Sequence, residues 1–123
     1  MAAVRDVVIV GSGGANIASL TGALGRLGVD APLSTDAEEI RAARAVILPG
    51  VGAAADAMAR LRSFGLTELL PALEQPVLGI CLGMQLLAAG SEEDDAECLG
   101  VIPGRARRLP ASPELPVPHM GWN

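Results

Sequence analysis

Three short apolar runs, at residues 5–10 (RDVVIV), 45–48 (AVIL) and 77–80 (VLGI), each lead into a turn built on glycine or proline. Each has the length and make-up of a buried strand. Between them the period changes. Residues 15–27 carry Ile17, Leu20, Leu24 and Leu27 at spacings of three and four, the mark of an amphipathic helix, which Gly28 then stops. A brief extended piece at 29–33 follows, then a helix through 44 that Thr35 or Asp36 caps with a side-chain oxygen. Residues 52–61 and 66–73 read as helices parted near Phe64 and Gly65, and 81–89 as a helix after the VLGI strand. Strands that alternate with helices pair in parallel and are covered on both faces, so an α/β, doubly wound, mostly parallel sheet is expected. All strand C-termini, and any site built on them, then lie along one edge.

Composition narrows the function. The 123 residues are enough for a single domain, spanning 1–123. With only Phe64 and Trp122 as aromatics, the core must be Val, Leu, Ile and Ala, as parallel sheets use. A net charge of −5 argues against nucleic-acid backbone binding. All nine basic residues are arginines, so Schiff-base chemistry and a phosphate-loop lysine are excluded. Cys81 and Cys98 read as two thiols rather than a disulfide, and a single histidine, His119, is too few for an ordinary zinc site. Neither a metal nor a cofactor is called for. No run approaches the roughly 20 apolar residues that span a bilayer, and no signal-peptide pattern is present, so a cytoplasmic protein is expected.

Chemistry concentrates in three loops at the strand ends: GSGGAN (11–16), PGVG (49–52) and GICLG (79–83). The last has the form G-x-C-x-G, the cysteine counterpart of a nucleophile elbow. Cys81 is then either a small buried hydrophobe, as free cysteine commonly is, or a thiolate held on a tight turn at a helix start. In the second case the N–H of Leu82 stands ready for an oxyanion, and freed amides of PGVG supply a second donor. Gln85, four residues on, shares a helix face with Cys81, and Glu93 offers a carboxylate for a substrate ammonium group. The same residues also read as surface polar groups, and SEEDDAE (91–97) as a solvated acidic loop. GSGGAN with Asp30 raises dinucleotide binding, but Asn16 stands where the third glycine of that pattern belongs. From Leu99 onward prolines are frequent, and short strands and turns are expected.

Taken in order, PGVG, GICLGMQLL, SEE, IPG and PHMGWN resemble the class I glutamine amidotransferases, and within them the glutaminase subunits of imidazole glycerol phosphate synthase. The GSGGAN loop departs from the commoner Y-G-x-G-N, though Asn16 and Ser19 fit a variant of it. The resemblance implies glutamine hydrolysis through a cysteine–histidine–glutamate triad in histidine biosynthesis, with Cys81 as nucleophile. It implies an oxyanion hole at Gly52 and Leu82, and substrate binding at Gly50, Gln85 and Glu93. It also implies a (β/α)8-barrel cyclase partner that receives the ammonia, with His119, Met120 and Trp122 near the subunit interface. The triad histidine and glutamate of such proteins lie in a later segment. The 123 residues are therefore expected to be inactive alone and to leave a sheet edge and apolar surface uncovered. Other readings are a different cysteine-elbow hydrolase of this fold, or a nucleotide-binding or structural α/β module using GSGGAN.

Overall fold

A computed structural model describes residues 5–13 and 16–122. Gly14 and Ala15 of the first loop and Asn123 of PHMGWN lie outside the described residues, as does the expected helix start at 15. The main sheet is parallel, in the order β2-β1-β3-β4. Its strands are β1 (Val7–Val10), β2 (Leu33–Ser34), β3 (Ala45–Gly50) and β4 (Val77–Cys81). Among the described residues five helices accompany it: α1 (Ile17–Arg26), α2 (Ala37–Ala42), α3 (Ala54–Ser63), α4 (Leu66–Ala72) and α5 (Leu82–Leu86).

Strand alternation sorts the core into two layers. Val8, Val10, Val46 and Leu48 pack with Ile40 of α2, Met58 and Leu61 of α3, Leu66 of α4 and Leu86 of α5. Ile9 and Ile47 point the other way, toward Ile17, Leu20 and Leu24 of α1. Helices thus cover both faces, as expected. From β1 the chain adds β2 on one side and β3 on the other, so the loops after β1 and β3 flank the switch point where such sheets bind ligands.

Local chemistry sets the boundaries. Asp36, not Thr35, caps α2, its Oδ1 accepting the N–H of Glu38 at 2.8 Å and of Glu39 at 3.4 Å. Asn16 caps α1, accepting the Ser19 N–H at 3.4 Å. Gly28 ends the following turn at φ +75°, and Gly65 parts α3 from α4 at φ +70°. Three expectations need correction. The AVIL strand runs on through Pro49 to Gly50, because β3 keeps pairing with β4 (Pro49 opposite Ile80, Gly50 opposite Cys81). Proline is tolerated there because the β1–β3 ladder ends at Ile9 opposite Ile47, two residues earlier. The helix expected over 81–89 is only α5. The residues after it leave the helix as β5 (Ala88–Ser91), drawn into a second sheet between β6 (Ala96–Glu97) and β7 (Ile102–Ala106). Finally, the extended piece at 29–33 contracts to β2.

β4 is one edge of the main sheet, and Leu78 and Ile80 on it are 58 % and 37 % exposed. Among the described residues no helix is long and apolar enough to cross a membrane.

Candidate active site

The elbow is built by close approach. A Cβ on Gly79 would stand 2.7 Å from Met84 Cα, and one on Gly83 would stand 1.8 Å from the Leu48 carbonyl oxygen. Glycine at both positions lets α5 sit directly on the ends of β3 and β4. The chain then folds back at Cys81 itself, which takes φ 55° and ψ −120°. A side chain in that region carries strain of order 1–3 kcal/mol, so the surrounding packing must hold it there. Its thiol is free and the residue is exposed, whereas Cys98 is half-buried, and burial pushes its thiol pKa up despite the opposing charge of Arg105. Of the two readings of Cys81, the buried hydrophobe is excluded.

Around Cys81 the structure gathers several of the expected residues. Gly50 stands opposite it at the end of the β3–β4 ladder. Leu82, buried, opens α5, so its N–H belongs to the first turn, where amides lack helical partners. Gly52 turns at φ +93° with open space where a side chain would be. A cleft of about 310 Å³ is lined by Cys81, Pro49, Gly50 and Val51 and by Asn16 and Ser19 at the start of α1. Gln85 and Glu93 line a separate cleft of about 550 Å³ with Ser91, Glu92, Arg107 and Arg108. His119, Met120 and Trp122 lie in the irregular tail, are exposed, and line neither cleft.

The acidic run is more than a solvated loop, which corrects one expectation. It forms a single 3-10 turn, Glu93–Asp95, in which Asp94 and Asp95 take φ 55° and 47°. Glu93 Oε1 accepts the N–H of Ala54 at 3.1 Å. It thereby caps α3, whose own N-cap, Ala53, offers no side-chain acceptor. Glu92 accepts from the Arg108 backbone N–H at 3.0 Å and from Arg107 Nε at 3.1 Å. The Arg108 amide, then Arg107, hold its carboxyl below the usual carboxylate range. Sequence reasoning missed this clamp, although the opposite charges of SEEDDAE and RARR (105–108) were a signal for it. The nucleotide reading loses ground: Asp30 precedes β2, at the end of the strand remote from the glycine-rich loop.

A glycine-forced elbow thus displays a strained, exposed cysteine at the carboxyl edge of a doubly wound α/β sheet. The family model described as glutamine amidotransferase class-I matches residues 8–123, and the chain belongs to that family. Among curated proteins it is similar to the imidazole glycerol phosphate synthase subunit HisH of Xanthomonas euvesicatoria pv. vesicatoria, at 56 % identity over 118 residues. The corresponding HisH of Xylella fastidiosa strain Temecula1 is 55 % identical over the same length. Each match covers 96 % of this chain and 59 % of the relative, so the chain spans about three-fifths of the length of these proteins. A crystal structure titled as a glutamine amidotransferase superposes with a TM-score of 0.67 at 24 % identity, over 78 % of this chain and 52 % of that one, and it shares the fold.

Proposed function

We propose that this chain carries the nucleophile and substrate-binding elements of the glutaminase of imidazole glycerol phosphate synthase, an enzyme of histidine biosynthesis in the cytoplasm. The backbone of Cys81, exposed and held at φ 55° on the elbow, carries this reading. The Cys81 thiolate attacks the carboxamide carbon of glutamine. The oxyanion is met by backbone N–H groups at Leu82 and Gly52, ammonia leaves on protonation, and water hydrolyses the glutamyl thioester to glutamate. Glu93, whose Oε1 is taken by Ala54, uses its other oxygen for the substrate ammonium group, with Gln85 in the same cleft, while Gly50 binds on the Cys81 side. No cofactor takes part. The similarity to HisH subunits at 56 % identity supports this substrate and pathway.

A cysteine without a general base is a poor amidase. The only histidine, His119, lines neither cleft. A protein of these 123 residues should therefore release ammonia from glutamine at a negligible rate in a coupled dehydrogenase assay. L-Glutamine should nevertheless slow alkylation of Cys81 by iodoacetamide. Absence of protection would overturn the glutamine site, and turnover abolished by His119→Ala would make His119 the base.

The ammonia passes to a (β/α)8-barrel cyclase, with His119, Met120 and Trp122 at the interface. Trp122 is the single tryptophan and is fully exposed, so its fluorescence reports docking. Titration with the cyclase subunit should shift its emission to the blue. A complex that forms with no change in emission would remove Trp122 from the interface.

A further inference from the structure

The turn that presents Glu93 is costly to hold. Asp94 and Asp95, consecutive and neither of them glycine, take left-handed φ values of 55° and 47°. Such residues persist only where their surroundings over-determine them. Ser91, buried, supplies part of the hold, its Oγ accepting the Glu93 N–H at 3.1 Å. The rest comes from the neighbouring strand. Arg105 stands opposite Gly90 in the β5–β7 ladder. Its Nη2 donates to the Ser91 carbonyl at 3.0 Å and to Asp95 Oδ1 at 2.8 Å, so one guanidinium grips both ends of the turn. Gly90 makes the room: a Cβ there would meet Arg105 Nη1 at 2.7 Å and Cζ at 3.2 Å.

We propose that Arg105 is a positioning residue, seated in the space left by Gly90, that locks turn 91–95 so that the Glu93 carboxylate stays on the N-terminus of α3 beside loop 50–53. The side-chain hydrogen bonds of Arg105 go to Ser91 and Asp95, and through them it acts on Glu93. Its consequence for substrate rests on the glutamine reading above, because Glu93 is the group that meets the substrate there. Its geometry is testable without that reading.

Amide hydrogen exchange of the 123-residue protein, followed by NMR, separates the two. In Arg105→Ala the Ala54 amide, bonded to the Glu93 carboxylate, and the Glu93 amide, bonded to the Ser91 hydroxyl, should each exchange about tenfold faster as the turn loosens. The Val8 and Ile47 amides, in the main-sheet core, should keep their parent rates. Arg105→Lys keeps the charge but places a strongly hydrated ammonium on a flexible stem where a preorganised guanidinium nitrogen stood, and should fall between. Unchanged Ala54 exchange in Arg105→Ala overturns the proposal. If Arg105→Ala also releases Val8 and Ile47, Arg105→Lys decides. Faster exchange confined to Ala54 and Glu93 supports the proposal, and uniform exchange identifies Arg105 as merely structural. In parallel, glutamine protection of Cys81 should weaken about tenfold in Arg105→Ala, matching the amide effect. If glutamine fails to protect the parent protein, the glutamine reading falls, and the Ala54 amide still decides the role of Arg105.

Discussion

Gly83→Ala is expected to lower the unfolding free energy by roughly 3 kcal/mol or more, the upper range for overpacking a closed site. The added methyl would stand 1.8 Å from the Leu48 carbonyl oxygen and 2.7 Å from its carbon, both backbone atoms of a central strand. Neither can retreat as a flexible side chain does, because β3 is paired on both sides, with β1 and with β4. The only relief is for α5 to lift away, which pulls Leu82 and Leu86 out of the core. Against a total stability of about 5–15 kcal/mol for a domain, the loss is severe. Urea unfolding followed by circular dichroism measures it. A midpoint equal to that of the parent would show that α5 is not seated on β3. Gly52→Ala provides the contrast, since open space surrounds Gly52 and only its φ of +93° is at issue. That change should cost about 1 kcal/mol.

Alkylation by a glutamine-mimicking electrophile should modify Cys81 stoichiometrically and leave Cys98 untouched. Cys81 is exposed on the elbow, whereas the half-buried Cys98 has its thiol pKa raised by burial. Cys81→Ala and Cys81→Gly should both abolish the label, and intact-protein mass spectrometry reads the outcome. The two variants should differ in stability. Alanine keeps the strained φ of 55°, whereas glycine adopts it freely and should leave the protein more stable than Cys81→Ala by about 1 kcal/mol. A thiol that served only to fill the core would give the reverse order, since glycine would leave the larger hole. Label found on Cys98 instead would reject Cys81 as the nucleophile.

Much of the frame was readable because it depends on local pattern. The short apolar runs at 5–10 and 45–48 give strands whose residues are buried on both faces in a parallel sheet, and 77–80 pairs beside them at the edge. Asp36 and Gly28 mark helix ends through their own chemistry, a carboxylate for free amides and a backbone that tolerates positive φ. The G-x-C-x-G frame pointed to Cys81 for the same reason. What it did not convey is where the strain lies. Gly79 and Gly83 are small because other elements come close to them, and the unusual dihedral falls on the cysteine between.

By itself the sequence determined the order of the main-sheet strands and their helices, the loops at one sheet edge and the glycine frame around Cys81, all consequences of neighbours in the chain. Only the tertiary structure decided that the helix after Cys81 ends at Leu86, because residues 88–91 pair better with strands contributed from further along. It also decided the role of the acidic run. SEEDDAE looks like a solvated loop until Arg105 and Arg107 arrive beside it, and Glu93 becomes a cap only when Ala54, 39 positions away, is brought within 3.1 Å. Hydrogen bonds across such separations depend on how the two sheets and α3 pack, which no local periodicity records.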